Sequence, residues 1–448
     1  MIYYRRHAAC LYACILYLHR TFHGNLCRGG RHGGASMTKE RIGIIKETTM
    51  AAIYFRTDGN HKIATGHLMR CLAIARACAQ KGACVKFIVS DSESLTLLKE
   101  RFKVPQEFGI HCLNRDYTKL CQEIPALLSC LAADKCTRRA VAADRGKPWL
   151  FIDSYYADTA YFKAAQDYFR TAYLDDLRTL DCAVDLVINY DTEEDCPCYA
   201  NASRKLLGVQ YTPLREQFRR PLYEVRPAVR HILLSTGGTD PCRVAESLLH
   251  SIYDQTSSAG TLSEGLIEAS RKSITPPSEQ NKQSILHTAD EMTALRSMHY
   301  HVLTSRANSR YDALNTLAKE HPSVHIHTNV ADVASLMASC DLAVSAGGTT
   351  LCELCAVGVP SVSYLMAENQ RTAVEAYAQK NLIPCAGDVR PVTAPNSDFQ
   401  NHAALSHMID FLTRMSADYH ARIMASSAMR NFLDGTGADR IARTMLLL

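Results

Sequence analysis

Phe55-Arg56-Thr57-Asp58-Gly59-Asn60-His61-Lys62-Ile63-Ala64-Thr65-Gly66-His67-Leu68-Met69-Arg70-Cys71-Leu72 runs from a short apolar strand, through a polar glycine loop, into an amphipathic helix. Leu68, Cys71, Leu72, Ala75 and Ala79 share one helical face, so the helix is expected to pack on a sheet. The loop is then left at the carboxyl end of the strand, where open α/β sheets bind ligands. His67 falls in the first helical turn. There the positive end of the helix dipole disfavours imidazolium and holds the ring neutral, as a general base requires. A histidine simply packed at a helix end fits the same pattern, and this stretch alone leaves both readings open.

Outward from this unit, strands and helices alternate. Cys84–Val89, Trp149–Asp153, Thr171–Asp175 and Asp185–Asn189 read as strands, and helical patterns separate several of them, the signature of a parallel, doubly wound sheet. A second series starts at His231–Ser235 and continues through His301–Thr304, Val324–His327 and Leu342–Ser345. Between the two series the pattern breaks into a polar connection around Tyr211–Pro221. The reading is an α/β chain of two Rossmann-like domains facing a central cleft, residues 51–213 and 229–448, joined by a linker at 214–228. A Ser/Thr/Glu/Lys-rich stretch with Pro276-Pro277, about 256–298, reads as a polar surface insertion, and Asp134–Lys147 as a smaller one.

A chain of 448 residues is long for one core, which agrees with two domains. A content of 47% hydrophobic and 21% charged residues suits a soluble globular protein. The net charge of +5, with no basic run interleaved with aromatics, gives no case for nucleic acid. Most of the 18 cysteines, such as Cys71, Cys78, Cys340, Cys352 and Cys355, lie in apolar periodic segments as small hydrophobes. Cys352-Glu353-Leu354-Cys355 and Cys196-Pro197-Cys198 lack a second ligand pair at finger-like spacing. Neither a disulfide scaffold nor a metal site is therefore expected, and a reduced cytoplasm is inferred. Arg5-Arg6 and the apolar run Ala8–Leu18 imitate a signal peptide, but His19 and Arg20 follow without a small-residue cleavage site. The run is also too short to span a bilayer, so no membrane partner is expected. Residues 1–50 read as an atypical leader, disordered or upstream of a true start at Met37 or Met50.

The second series carries two glycine loops. Leu233-Leu234-Ser235-Thr236-Gly237-Gly238-Thr239-Asp240-Pro241 is strand, glycine turn and helix start, with Asp240 suited to the N-cap and Pro241 to the first helical position. Its glycines let backbone amides approach an anion, although a tight turn that binds nothing fits as well. In Leu342–Pro360 a buried strand delivers Gly347-Gly348 and Thr349 to the start of a short helix, an arrangement suited to a diphosphate. Thr350 and Glu353 have capping-box spacing, so Glu353 either caps the helix or accepts ribose hydroxyls. Gly358 and Pro360 end the helix. Farther on, the amides of Asn369 and Gln370 suit either sugar binding or helix capping.

With these residues in view, the chain resembles the UDP-2,4-diacetamido-2,4,6-trideoxy-β-L-altropyranose hydrolases of pseudaminic acid biosynthesis, relatives of the MurG-type glycosyltransferases of GT-B architecture. Phe55–Leu72, Ser235–Asp240, Ser345–Pro360 and Glu368–Gln370 carry the likeness, supported by Phe151–Tyr155 and Leu214–Phe218. Ala64 stands where the family usually has glycine. The resemblance implies a GT-B-like fold and hydrolysis of a UDP-sugar without cofactor or metal, and nothing in the sequence demands more than a monomer. His67 would activate water, Tyr155 would lie near the sugar, and Asn369 would line the active site. Gly347, Gly348, Thr349 and Glu353 would hold UDP, with Gly66, Gly237, Gly238, Thr239 and Gln370 as further binding candidates. Arg56 and Asp58 either contact substrate or pair with each other. The expected reaction is displacement at C1 by water with inversion. The alternatives are a MurG-like transferase, a pyrophosphatase that attacks phosphorus, and a nucleotide-sugar-binding module without catalysis.

Overall fold

β1 (Ala52–Thr57) is an inner strand of a seven-stranded sheet, and its six residues are all buried. It is followed by β2 (Cys84–Val89), β3 (Gly109–Cys112), β4 (Trp149–Asp153), β5 (Arg170–Leu174), β6 (Leu186–Asn189) and β7 (Lys205–Leu207). The strand order is β3-β2-β1-β4-β5-β6-β7, and every pairing is parallel. The computed structural model describes residues 51–63, 65–133, 147–178, 183–191, 196–219, 223–254, 287–390 and 402–448. The leader 1–50, the stretch 134–146 and residues 255–286 lie outside these.

A continuously apolar strand such as β1 must be covered on both faces. Ile53 and Phe55 pack with Leu68, Cys71, Ile74, Ala75 and Cys78 of α1 (Gly66–Gln80), while Tyr54 turns to the opposite core with Tyr161, Phe162 and Phe169. Each fully buried Leu or Ile of α1 is worth about 1.5–3 kcal/mol. The chain winds outward from β1 to β3 and then returns to β4 on the other side of β1. The order therefore reverses between β1 and β4, the point at which doubly wound sheets bind ligands.

The second sheet repeats the scheme with β8 (His231–Ser235), β9 (His299–Leu303), β10 (Val324–His327), β11 (Leu342–Ala346), β12 (Ser361–Leu365) and β13 (Cys385–Asp388). Their order is β10-β9-β8-β11-β12-β13, again all parallel. The switch point here lies between β8 and β11.

The chain divides into one compact unit that runs to Arg215 and takes back Thr436–Leu448, and a second unit from Glu216 to Gly435. The sequence pattern places the final helix with the second domain. Instead α13 (Gly437–Leu447) buries Ala438, Ile441, Ala442 and Met445 against α1. Its first residue must be small, because a Cβ on Gly437 would collide with the Thr212 carbonyl.

Three more expectations are corrected. The insertion expected to extend to about 298 contains α6 (Ala289–Arg296), started by a capping box in which Thr288 and Glu291 bond reciprocally. The helix after the first glycine loop, α5 (Val244–Tyr253), starts at Val244 and not at Pro241. Asp240 still caps it, because its buried carboxylate accepts the amides of Val244 and Ala245 at 3.0 Å each. Cys196 and Cys198, in a chain for which no disulfide scaffold is expected, form a disulfide. Cys71, Cys78, Cys340 and Cys355 are free and buried, as hydrophobes should be.

Candidate active site

In the first unit the carboxyl ends of β1, β4, β5 and β6 gather polar side chains around the start of α1. The helix begins at Gly66, and Thr65 precedes it without a side-chain cap. His67 is 6% exposed. Its Nδ1 stands 2.5 Å from Oδ1 of Asp153, the last residue of β4. Arg70, one turn along α1, donates from Nε to Oδ2 and from Nη2 to Oδ1 of Asp153, both at 2.6 Å. The Arg70 guanidinium also reaches Asp176 Oδ2 at 2.8 Å and the Tyr190 hydroxyl at 2.7 Å. Burial alone would raise the Asp153 carboxyl, but the charge and hydrogen bonds of Arg70, with His67 behind them, hold it well below the usual carboxylate range.

The orientation of the ring follows. A carboxylate accepts only, so Nδ1 carries the hydrogen toward Asp153 and the lone pair is left on Nε2. The Asp153 carboxylate, in direct contact, is a nearer partner of the ring than the helix start expected to control it. His67 and Asp153 line a concavity with Asp58, Ile63, Ser154, Tyr155 and Tyr156. Tyr155 is half exposed and meets the His67 ring edge-on, with centroids 4.6 Å apart. Its hydroxyl donates to Asp176 at 3.2 Å. Partial burial and the Asp176 charge push that phenol up to about 12, so it is a hydrogen-bond donor at neutral pH. Tyr156, also well exposed, meets Tyr117 edge-on, and the concavity thus has an aromatic rim.

Arg56 and Asp58 are joined. Arg56 is fully buried beneath the loop, with Nη1 on Asp58 Oδ2 at 2.6 Å and Nε on Glu123 Oε1 at 2.7 Å. Nη2 donates to Ser90 at 2.6 Å and to Glu123 Oε2 at 3.0 Å. Tyr161 donates to the same Glu123 at 2.8 Å, and the Ser90 amide donates to Asp58 at 2.6 Å. Of the two residues, only Asp58 reaches the concavity.

In the second unit, Gly237, Gly238 and Thr239 form an exposed loop after β8. Gly347, Gly348 and Thr349 follow β11 and lead into α9 (Thr350–Val357). Thr349 is the N-cap and its side chain makes no cap bond, so the Thr350–Glu353 capping box is not formed. Glu353 lies partly exposed in the first turn. Gln370 braces its own loop, accepting the Met366 amide at 3.1 Å. A Cβ on Gly347 would collide with Val374 and press on Gln370, whereas one on Gly348 would meet nothing within 4 Å. Gly348 is thus the open side of the turn. Asn369 belongs to the short turn Glu368–Gln370, and its side chain lies outside the described residues.

Sequence reasoning singled out His67 and Tyr155, which the structure places in contact, but gave no role to Asp153, Arg70, Asp176 or Tyr190 beside them. The available signal was position: each carboxylate or phenol stands at or just after the end of a strand, and Arg70 is one turn from His67.

Among the described residues no helix is long and apolar enough to cross a membrane. No known sequence family and no curated protein matches the chain. Among solved structures, MurG of Acinetobacter baumannii is similar, with a TM-score of 0.52 at 12% identity, covering 89% of this chain and 100% of that one. Arabidopsis thaliana UGT89C1, complexed with UDP-L-rhamnose, is similar with a TM-score of 0.50 at 10% identity, covering 88% and 99%. The fold is that of GT-B proteins: two Rossmann-like domains, each a parallel sheet flanked by helices.

Proposed function

We propose that this chain is a UDP-sugar hydrolase that cleaves the anomeric C1–O bond of UDP-2,4-diacetamido-2,4,6-trideoxy-β-L-altropyranose or a close relative, releasing UDP and the free sugar. The observation that carries the reading is the 2.5 Å contact of His67 Nδ1 with the buried Asp153 carboxylate, at the edge of a concavity with an aromatic rim. Such a pair directs the basic Nε2 outward for one task, removing a proton from a bound molecule.

In this mechanism water loses a proton to His67 Nε2 as its oxygen bonds to C1. The C1–O bond to the diphosphate breaks on the opposite face and its electron pair leaves with UDP, so the sugar inverts. Asp153 stabilises the imidazolium as it forms. Tyr155 and Tyr156 offer flat apolar surface to a deoxysugar, and the Tyr155 hydroxyl stays protonated. The loops Gly237–Thr239 and Gly347–Thr349 are the proposed UDP site, where backbone amides and the start of α9 take up charge developing on the leaving diphosphate. Glu353 and Asn369 are proposed to contact the nucleotide and the sugar.

The test is turnover of the UDP-sugar in oxygen-18 water with no acceptor present. Label in the sugar supports attack at C1, and label in the phosphate assigns attack at phosphorus instead. UDP release only on addition of an acceptor would make the protein a transferase. Turnover that survives His67→Asn would remove the proposed base.

A further inference from the structure

Five histidines on the second unit's sheet play no part in the proposed reaction. Alternate residues of a strand face opposite sides. On β8, β9 and β10 one side sends Ile232, Leu234, Tyr300, Val302 and Val324 into the core. The other side presents His231, His299, His301, His325 and His327, all partly buried. The parallel register places His231 beside His299 and His301 beside His325. Neighbouring rings lie with centroids 5.0–5.3 Å apart, most of them stacked.

Their nitrogens meet end to end. His231 Nδ1 lies 3.0 Å from His301 Nε2, and His301 Nδ1 lies 2.9 Å from His327 Nε2. His299 Nδ1 lies 3.1 Å from His325 Nε2. Each bond requires a proton on one nitrogen and a lone pair on the other, so the tautomer of one ring sets that of its neighbour. The chain His231–His301–His327 accepts one extra proton without losing a bond, because a protonated His301 donates both ways. A second proton sets N–H against N–H. The His299–His325 pair is limited in the same way. The five rings thus hold two protons at most with their bonds intact, against five in the unfolded chain. Among the described residues no group of three or more His, Cys, Asp or Glu could hold a metal ion, and here the ring nitrogens are turned on one another.

We propose that this imidazole ladder is an acid-sensitive lock, which binds β8, β9 and β10 together at neutral pH and weakens the second unit, but not the first, as the pH falls toward about 5.

The charges facing the ladder are set at one end. Asp341, just before β11, accepts the His231 amide at 2.9 Å and pairs with Arg226 at 2.7 Å, so its pull on a protonated ring is offset. Burial, with the neighbouring rings, lowers His301 to about 4. Burial also lowers His231, His325 and His327. Folded values below the unfolded value of about 6.5 mean that the unfolded chain binds more protons. The ladder's contribution is therefore present above about pH 6.5 and is lost as the pH falls through the folded values. Unfolding of this unit near pH 5 should take up at least about three protons.

The single tryptophan, Trp149 in β4, reports only on the first unit. In the full chain, hydrogen exchange of β8–β10 amides, corrected for the intrinsic pH dependence, should accelerate by about tenfold or more between pH 7 and 5 while Trp149 emission stays constant. The double variant His301→Gln/His327→Gln should flatten that dependence. If it does not fold, imidazole proton–nitrogen NMR of the wild type decides instead: His231, His301, His325 and His327 should stay neutral well below pH 6 and charge together as protection is lost. Protection that is unchanged from pH 7 to 5, a variant with the wild-type dependence, parallel loss of Trp149 emission, or rings titrating one by one near 6.5 would each overturn the lock.

Discussion

His67 and Asp153 are 86 positions apart in the chain, and their side chains touch at 2.5 Å. The contact is a consequence of strand order. β1 and β4 are neighbours with Thr57 opposite Asp153, so the helix that leaves β1 carries its first turn over the end of β4. Replacing Asp153 by Asn keeps the size but removes the acceptor that fixes the Nδ1 hydrogen. Turnover of the UDP-sugar should fall by about 10²–10⁴-fold, mostly in kcat, as in other acid–base pairs deprived of their carboxylate. Steady-state UDP release checks this; an unchanged kcat would separate Asp153 from the chemistry.

The same residue predicts a pH dependence of stability. Arg70 and His67 hold the Asp153 carboxyl below its ordinary value, against its burial. For a group depressed on folding, the contribution is present above the unfolded value of about 3.9 and is lost as the pH falls below it. Denaturant unfolding of wild type and Asp153→Asn, followed by Trp149 emission, should therefore differ by a constant amount from about pH 5 to 8, and the gap should close below about pH 4.

Arg56 belongs to the foundation of the loop. It lies at 0% exposure among Asp58, Glu123 and Ser90. Arg56→Met strands a buried carboxylate and should cost about 3–5 kcal/mol, while Arg56→Met/Glu123→Gln should recover at least about 1 kcal/mol of it. Asp58 keeps its bonds from Ser90 in both variants. A raised KM with stability intact would assign Arg56 to substrate contact instead.

The β1–loop–α1 unit was legible because apolar run, glycine loop and helical face follow one another within twenty or so residues. β3 and β7 were not. Gly109–Cys112 and Lys205–Leu207 are outer strands of four and three residues, too short to show a period. α6 hides in a polar stretch, and only Thr288 and Glu291 betray its start. The partnership of His67 with Asp153 and Arg70 depends on which strand lies beside β1, and no local pattern carries that. Likewise, His301 and Val324–His327 were read as strand residues, yet their bonding across β8, β9 and β10 becomes visible only once the register is known.

The two glycines of the β11 loop should behave differently. Gly347→Ala drives a methyl into Val374 and should cost about 1–3 kcal/mol, partly restored by Val374→Ala. Gly348→Ala enters open space and should leave stability within about 0.5 kcal/mol. If the turn holds UDP, Gly348→Ala should nevertheless weaken UDP binding measured by calorimetry. Wild-type affinity in a stable Gly348→Ala protein would move the nucleotide site elsewhere.

The return of the C-terminal helix to the first unit is tested by Ile441. Its side chain is wholly buried with Ala438, Ala442 and Met445 in the core that contains α1 and Trp149, although it follows the whole second unit in sequence. Ile441→Ala should therefore cost about 2–5 kcal/mol in the transition reported by Trp149 emission. Hydrogen exchange in β8, β9 and β11 should stay at wild-type rates. The opposite outcome, an undisturbed Trp149 transition with faster exchange in the second sheet, would place the helix where its position in the sequence suggests. Because α13 packs on α1, whose first turn carries His67, the same variant should also lower turnover near its melting temperature while leaving kcat near normal well below it.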